Sequence, residues 1–331
     1  MTILSSLFLL NNTKSIWQLV CKEPAGSIYN CRNLKYSPVY KGYVGVDNTQ
    51  LTFSSDLKTW KTISAYSHGT PFYCEADGYF YCIKISKVSN KAQVALKKMT
   101  AWNVFSSAII VDTSEENTSY LSSHNGGLYK LGNYYALPYT FDWSDINQHK
   151  IAFTQNFQTW NVIEYYRGTG TSSSQMVSLG CSGTQLVVFA GTDNGFCPTI
   201  FKSPTEYEIL SPLWTGGNMT GATGFYLNGA WYYQNMSWTE YKSTDGRNFT
   251  KLARPSETWL SPNTIFYKQK YISVYKKIIR CASDDLFSDY TEVDTSADIG
   301  AVCLSGIVND ELYVVGNDDV IYKTEIENIL G

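Results

Sequence analysis

The stretch SSDLKTW, from Ser54 to Trp60, ends a polar turn on a tryptophan, and it recurs along the chain. Each copy has a hydroxyl residue, then Asp or Asn two positions later, then a closing aromatic residue. Clear copies are TQNFQTW (Thr154 to Trp160), STDGRNF (Ser243 to Phe249) and SDDLFSDY (Ser283 to Tyr290), and weaker ones end at Trp17, Trp102 and Tyr207. Successive closing aromatics lie 43, 42, 58, 47, 42 and 41 residues apart, so the chain is a repeat.

A second repeat follows the same rhythm. Seven segments place glycine or polar residues just before a short aromatic and β-branched run, which is the pattern of a tight turn leading into a strand. These segments begin at Lys41, Asp77, Leu131, Ser182, Asn228, Lys268 and Asn309. Each is followed about 20 residues later by the turn that ends on an aromatic, so each repeat should hold four short strands.

A repeat of this kind predicts an all-β fold, a seven-bladed β-propeller of four-stranded antiparallel blades. Six or eight blades remain open, because either end of the chain could add an outer strand. We expect Trp17 to Val20 to pair with a C-terminal strand that runs through Thr324, which closes the ring and hides two sheet edges. Residues 1–331 then form one domain, in which residues 1–11 are an extra strand or a docking segment.

The composition excludes several classes of function. The net charge is −3 with no run of Lys or Arg, which argues against binding to nucleic acid or to an anionic membrane. No apolar run approaches the roughly 18 residues of a membrane-spanning helix, and we expect no secretory signal. The eight cysteines are interpreted mainly as reduced core residues, with Cys74 and Cys82 as the one pair that could be bonded. No CxxC or HxxxH spacing occurs, so we predict no metal and no cofactor.

The acid in SSDLKTW is interpreted as structural. An Asp or Asn side chain can accept hydrogen bonds from the amides of its own turn, and the serine adds a further local bond. These segments resemble the Asp-box (BNR) repeats of sialidases and related propellers, whose pattern is Ser-x-Asp-x-Gly-x-Thr-Trp, although here the copies are one residue shorter or degenerate. The resemblance implies a turn between third and outer strands, opposite the binding face. Its structural residues would be Asp56, Trp60, Asn156, Trp160, Asp245, Phe249, Asp285 and Tyr290.

The sialidase resemblance also raises an enzyme hypothesis, which the residues do not favour. Sialidases use three arginines, a Tyr and Glu pair and an Asp, and their Phe/Tyr-Arg-Ile-Pro segment is absent here. Arg247 falls in a box turn and Arg280 in a third strand, so only Arg32, Arg167 and Arg254 could form a triad. Other glycosidases need two carboxylic acids roughly 5 to 10 Å apart on the pocket face. We predict no catalytic residues, with a glycoside hydrolase as the alternative.

Blade three carries the candidate binding face. Its leading segment, residues 106–127, and its inner loop, residues 139–149, are longer than their counterparts, and long loops on a regular scaffold often carry function. Acids, amides and aromatics together suit a sugar or a peptide, whereas the alternative is a set of solvated loops. A metal or acid–base site in this group fits no known template. The candidate residues are His68, His124, Asp142, Trp143, Asp145, His149, Tyr166 and Arg167.

The fold alone does not decide the function. We predict a non-catalytic propeller that acts as a structural or adaptor protein, or as a receptor-binding protein for cell-surface glycans. A lone propeller rich in Tyr, Ser, Thr and Asn with few histidines resembles the propeller proteins of bacteriophage tails and virions. Its partners would be other proteins of that assembly or a glycan, and it would reside in the virion. The alternative is a soluble cellular lectin-like module without a recognisable secretory signal.

Overall fold

The computed structural model describes residues 15–22, 35–46, 50–117, 127–142, 147–167, 176–192, 195–211, 223–234, 239–253, 260–300, 302–316 and 320–330. These residues form seven antiparallel sheets arranged as the blades of a β-propeller, which confirms the predicted fold and blade number. Residues 1–11, predicted as an extra strand or a docking segment, lie outside the described residues.

The strands of each blade run from the innermost to the outermost. Blade one contains β2 (Lys35–Ser37), β3 (Gly42–Val46), β4 (Gln50–Ser54) and β5 (Lys61–Ser64). Blade two contains β6 (Thr70–Cys74), β7 (Tyr79–Val88), β8 (Lys91–Ala101) and β10 (Ile109–Asn117), with the short β9 (Val104–Phe105) also paired to β8. Blade three contains β11 (Tyr129–Leu131), β12 (Tyr134–Asp142), β13 (Asn147–Thr154) and β14 (Asn161–Arg167). Blade four contains β15 (Met176–Cys181), β16 (Leu186–Thr192), β17 (Gly195–Phe201) and β18 (Tyr207–Ile209).

The remaining blades follow the same order. Blade five contains β19 (Thr223–Leu227), β20 (Ala230–Gln234), β21 (Glu240–Ser243) and β22 (Thr250–Lys251). Blade six contains β23 (Ile265–Tyr267), β24 (Lys270–Tyr275), β25 (Ile278–Ala282) and β26 (Tyr290–Asp294). Blade seven contains β27 (Cys303–Val308), β28 (Glu311–Val315), β29 (Val320–Glu325) and, as its outer strand, β1 (Gln18–Lys22). A single-turn helix, α1 (Glu327–Leu330), follows β29.

The predicted turn-then-strand segments are the hairpins between first and second strands. In blades five to seven, each turn has two consecutive residues with positive φ: Asn228 and Gly229, Lys268 and Gln269, Asn309 and Asp310. Two such residues define the hairpin turn whose twist matches that of the strands it joins. These turns therefore set the register of the second strand in each of the three blades.

The two ends of the chain close the ring as predicted. β1 pairs antiparallel with β29, with Gln18 opposite Lys323 and Lys22 opposite Val320. Trp17, just before β1, is only 7% exposed and packs with residues of blades six and seven. The N-terminal strand thus completes the last blade and removes an open edge from β29.

Several strands of blades two and three are longer than the sequence predicted. The sequence indicated loops at residues 106–127 and 139–149, but Ile109–Asn117 is the outer strand of blade two. The second loop consists largely of the ends of β12 and β13, which pair as far as Asp142 opposite Asn147. Val111 in β10 is buried against blade three, and the Ala92 amide donates to Ser114 Oγ. Packing against blade three therefore stabilises a strand where a loop was expected.

Cys74 and Cys82 are both free and buried. Cys74 packs in the core shared with blade three and Cys82 in the core shared with blade one, because they point to opposite faces of blade two. The possible bond between them does not form. Among the described residues, no helix has the length and apolar character needed to cross a membrane.

Candidate functional site

In three of the turns that end on a closing aromatic, an Asp or Asn side chain binds the backbone of its own turn. Asp56 Oδ1 accepts hydrogen bonds from the amides of Lys58 and Thr59 at 2.8 and 2.7 Å, and from Ser54 Oγ at 3.1 Å. These bonds favour the carboxylate and lower the pKa of Asp56 to about 2. Asn156 accepts the equivalent amides of Gln158 and Thr159 at 2.9 and 3.0 Å.

The third of these turns, in blade five, repeats the same geometry. Asp245 Oδ1 accepts hydrogen bonds from the amides of Arg247 and Asn248, both at 2.8 Å. Each of the three turns joins a third strand to an outer strand, which is the position that the sequence indicated. Asp56, Asn156 and Asp245 are therefore engaged by their own turns.

Blade six departs from this arrangement. Asp284, and not Asp285, accepts the amides of Leu286 and Ser288, at 2.8 and 3.1 Å. The third strand ends on Ala282, so there is no hydroxyl residue at the position that Ser54 has in blade one, and the turn is one residue longer. Asp285 is instead buried against blade five, where it accepts a hydrogen bond from the hydroxyl of Tyr232 at 2.6 Å. The assignment of Asp285 to the turn is corrected to Asp284.

The closing aromatics differ in their packing. Trp60 packs against the core residues of blade seven, and Trp160 against the core shared by blades two and three. Phe249 contacts Phe189 of blade four, with ring centroids 5.5 Å apart. Tyr290 is 36% exposed and lies beneath the guanidinium of Arg280, 5.0 Å from its ring centre. Three of the four predicted aromatics thus contact the preceding blade.

Few of the predicted blade-three residues can be located as a site. His124, Trp143 and Asp145 lie outside the described residues, as do the side chains of Asp142, Tyr166 and Arg167. The backbones of these last three residues belong to β12 and β14 rather than to loops.

Two histidines have defined positions. His149 lies inside β13, fully buried, with Nδ1 3.1 Å from Thr140 Oγ1. It is opposite Thr140 in the register, so it belongs to the blade core and not to a surface loop. His68 lies in the turn that leads into blade two and stacks on Phe105, with ring centroids 4.1 Å apart. The structure therefore does not bring these two histidines together as one site.

The larger of two neighbouring cavities lies among the innermost strands of the ring. It has a volume of about 550 Å³, within the usual range for ligand pockets. Its walls come from the innermost strands of blades two to five, with Pro262 from the segment before blade six. Three tyrosines line it, Tyr73, Tyr129 and Tyr226.

The rest of the cavity wall is apolar apart from two charged residues. Leu128, Leu179 and Phe225 supply apolar surface, and Gly127, Gly180 and Gly183 leave room beside it. Glu75 and Lys130 are the charged residues of this wall. We call this space, with the residues named in this and the preceding paragraph, the central channel.

A smaller cavity of about 290 Å³ shares Tyr73, Glu75 and Pro262 with the central channel. It adds Lys35 of blade one, whose Nζ lies 2.9 Å from Glu75 Oε1. Burial raises the pKa of Tyr129 to about 12, so its hydroxyl is neutral and accepts the Gly127 amide at 3.0 Å. Hydroxyl groups, aromatic faces and one ion pair make a surface suited to binding polar ligands.

The first strands of blades four and five pack closely against each other in one wall of the channel. A Cβ on Gly180 would lie 2.7 Å from backbone atoms of Phe225 and Tyr226. The Gly180 carbonyl accepts the indole N–H of Trp231 at 3.1 Å. Sequence reasoning missed these residues because it followed second strands and outer turns, whereas the channel is lined by first strands. Glycine and tyrosine in those first strands were the available signal.

Within the described part of the chain, no group of three His, Cys, Asp or Glu side chains is placed to hold a metal ion. Arg247 pairs with Glu208 of blade four, and Arg280 with Glu292 of its own blade at 3.0 Å. Arg280 lies in the third strand of blade six, as the sequence predicted, and both arginines engage acids of outer strands.

Comparison with known proteins finds solved structures of similar overall shape but low sequence identity. No family model matches the chain, and no curated protein matches it by sequence. A solved structure of YCF48 bound to D1 peptide has a TM-score of 0.49 and 13% identity, covering 94% of this chain and 97% of that one. The computationally designed Ika8 protein has a TM-score of 0.48 and 10% identity, with 93% and 99% covered. BamB from Moraxella catarrhalis has a TM-score of 0.43 and 11% identity, with 88% and 96% covered. The seven-bladed fold of this chain rests on its own strand pairing.

Proposed function

We propose that this protein is a non-catalytic binding propeller of a larger assembly, and that its central channel holds a segment of a partner protein. The observation that carries the proposal is the wall of the channel. Three tyrosines and several apolar side chains line the channel together with Glu75, the one acid among the described lining residues.

The charge of the channel supports binding over hydrolysis. Hydrolysis of a glycoside by the common mechanism needs two carboxyl groups with different protonation states. Here Glu75 is the one carboxylate among the described lining residues, and its Oε1 lies 2.9 Å from Lys35 Nζ. Such an ion pair can exchange partners with a polar or charged group of a ligand. A tyrosine-rich surface supplies contact area with few rotatable bonds, which suits recognition of peptides.

Exposed apolar residues on the outer strand of blade four support the proposal that the protein belongs to a larger assembly. Tyr207 and Ile209, two residues apart on the outer strand of blade four, are 43% and 49% exposed. They give the rim apolar surface that a neighbouring protein could cover. Together with the composition rich in Tyr, Ser, Thr and Asn, this leads us to propose a component of a phage tail or virion.

A cell-surface glycan is the second candidate ligand. The specific observation is that hydroxyl groups and aromatic faces line the same cavity, since a sugar ring stacks on an aromatic face and bonds polar groups at its edge. Glu75 would then accept hydrogen bonds from sugar hydroxyls. A glycan, in the receptor-binding role, and a partner-protein segment, in the adaptor role, would therefore bind at the same site.

Two parallel assays test the proposal. A displayed library of random peptides is panned on the protein, and a glycan array is scored both for retained protein and for lost terminal sugars. Glu75→Gln and Tyr226→Ala alter the channel, and Glu206→Gln alters an exposed ion pair on the rim of blade four as a matched control. Thermal melts establish that each variant is folded.

We expect selected peptides to bind the wild-type protein and the control equally and to lose affinity for both channel variants. If instead the protein is retained on glycans, the channel variants weaken that retention and no terminal sugar is lost, the ligand of the channel is a glycan. Release of terminal sugars would overturn the non-catalytic proposal. Equal binding to all variants would show that the ligand does not bind in the channel.

A further inference from the structure

The hairpin of β7 and β8 rises beyond the first strand of its blade. β6 pairs with β7 from Cys74 opposite Tyr79 to Thr70 opposite Ile83, so β7 from Lys84 to Val88 extends past it. This part of β7 pairs with β8 from Ala95 to Lys91, and β10 pairs with β8 on the other side. The three strands form a raised sheet on the side of the ring that carries the turns between second and third strands.

The two faces of this raised sheet differ in burial. Ala92, Val94 and Leu96 point to one face and are buried in the core shared with blade three. The alternate residues point to the other face, towards blade one, because successive side chains of a strand alternate. We call this second face the crest face; its described residues are Lys84, Ser86, Val88, Lys91, Gln93, Ala95, Lys97, Ile110 and Thr113.

The crest face is basic in a protein whose net charge is −3. Lys84 and Lys97 are diagonal neighbours, since Ala95 is opposite Lys84 and lies two residues before Lys97. Lys91 extends the row at the tip of the hairpin, opposite Val88. In the part of the chain that the structure describes, no carboxylate pairs with these three lysines.

His68 lies beside Lys97 at the foot of the crest face. Its Nδ1 lies 3.4 Å from Lys97 Nζ, while its ring stacks on Phe105. Gly69 holds the turn in place at φ +117°, and a Cβ there would lie 2.2 Å from the Ile83 carbonyl oxygen. Burial, Lys97 and Lys84 lower the pKa of His68, so both lysines contribute positive potential at this point.

Two apolar side chains accompany the lysines. Val88 and Ile110 are 46% and 48% exposed, at the tip and on the outer strand of the crest face. Ile110 is opposite Ala95, which is itself opposite Lys84, so an apolar residue and a lysine are separated by one strand. A ligand that covers this face must offer both negative charge and apolar groups.

We propose that the crest face is a docking site for an acidic segment of a partner protein, distinct from the central channel. Carboxylates of the segment would pair with Lys84, Lys91 and Lys97, and its apolar side chains would cover Val88 and Ile110. Charge complementarity selects an acidic segment, and the apolar residues select a peptide over a sulfated sugar, which has no group to cover them. The site does not depend on a ligand in the channel.

Fluorescence anisotropy tests the docking site with a labelled peptide of alternating acidic and leucine residues. The paired substitutions Lys84→Ser and Lys97→Ser remove charge from the crest face, and Ile110→Ser removes apolar surface. The matched control carries Lys58→Ser and Lys61→Ser, which remove two exposed lysines of blade one. A thermal melt of each variant checks that the fold is retained.

We expect the crest-face pair to weaken binding about two- to thirtyfold, because each exposed ion pair contributes about 0.2–1 kcal/mol and two are lost. Binding should also weaken as salt rises, more steeply for the wild type than for this pair. The control pair and Tyr226→Ala should bind as the wild type does.

Three results would overturn the proposal: no binding of the peptide at low salt, an equal loss in the control pair, or a loss caused by Tyr226→Ala. A heparin-derived oligosaccharide is measured in parallel. If it binds through the same lysines while the peptide does not, the occupant is a sulfated glycan and the peptide assignment is wrong.

Discussion

Asp285 of blade six accepts a 2.6 Å hydrogen bond from the hydroxyl of Tyr232, which belongs to blade five. Lys242, opposite Tyr232 on the neighbouring strand, places its Nζ 2.6 Å from the same carboxylate oxygen. The acid is 8% exposed, so charge and hydroxyl meet in a largely dry interface. One carboxylate from a box turn therefore links two blades.

The same arrangement recurs elsewhere in the ring. A tyrosine of the second strand lies opposite a lysine of the third strand, and one carboxylate bonds both. The other sets are Tyr81, Lys98 and Asp77 in blade two, Tyr139 and Lys150 in blade three with Asp112 from blade two, and Tyr313, Lys323 and Glu311 in blade seven. The carboxylate comes from a neighbouring blade in two of these four described sets. Those two act as latches between blades.

The latch formed by Asp285 should stabilise the ring. We expect Asp285→Ala to lower the free energy of unfolding by about 1–3 kcal/mol, because Tyr232 and Lys242 each lose a buried partner. The matched control is Glu206→Gln, which breaks the exposed pair with Lys202 and should cost less than about 1 kcal/mol. Urea denaturation followed by tryptophan fluorescence measures both. Equal losses in the two variants would contradict a role for the latch.

Sequence patterns were sufficient for the blades because turn chemistry is local. Lys268 and Gln269, or Asn309 and Asp310, form their hairpin whichever blade lies beside them. Long-range packing was not accessible in the same way. The segment around Val111 was interpreted as a loop because nothing within it shows that blade three covers it.

The candidate site was harder to predict for the same physical reason. His149 has a polar side chain near a turn signal, yet its burial depends on the length of β13 and on Thr140 opposite it. Asp284 and Asp285 are adjacent, and only the extra residue in the turn decides which of them binds the amides. The channel requires first strands from several blades to converge, which no single stretch of sequence encodes.

Closure of the ring depends on Trp17. We expect Trp17→Ala to lower the free energy of unfolding by about 3–5 kcal/mol, because a large buried side chain leaves a cavity between blades six and seven. Tyr290→Ala changes another closing aromatic of the repeat. Because Tyr290 is partly exposed, this substitution should lower the free energy of unfolding by less than half as much as Trp17→Ala. Differential scanning calorimetry of both variants checks this. A similar fall in Tm for the two would show that Trp17 has no special part in closure.

The thiols of Cys74 and Cys82 should be unreactive in the native protein. Burial raises the pKa of each to about 12, so roughly one in ten thousand is a thiolate at pH 8. We expect iodoacetamide to leave both unmodified in buffer and to modify both in guanidinium chloride, as read by peptide mass spectrometry. Rapid labelling of the native protein, or a peptide pair joined by a disulfide, would contradict the structure.

Gly180 should tolerate no side chain. Its missing Cβ would meet the backbone of blade five, which cannot move as a flexible side chain can. We expect Gly180→Ala to cost about 1–3 kcal/mol of unfolding free energy through overpacking. In Gly127→Ala the new atom would lie 3.6 Å from the Tyr129 ring, an ordinary contact, so stability should change by less than about 0.5 kcal/mol. Thermal melts of both variants measure the difference, and equal Tm values would show that blades four and five can separate at no cost.

The turn acid of blade one should make stability depend on pH. Since the pKa of Asp56 falls from an unfolded value of 3.8 to about 2, its contribution is present above the unfolded value and is lost as pH falls towards 2. Asp56→Asn keeps an acceptor for the amides of Lys58 and Thr59, as Asn156 does in blade three, but without charge. We therefore expect the variant to have a lower Tm than the wild type at pH 7, and the two Tm values to converge between pH 4 and pH 2. The reciprocal variant Asn156→Asp should gain a Tm advantage at pH 7 and lose it over the same interval. A Tm difference for Asp56→Asn that stays constant from pH 7 to pH 2 would show that the charge of Asp56 does not stabilise the turn.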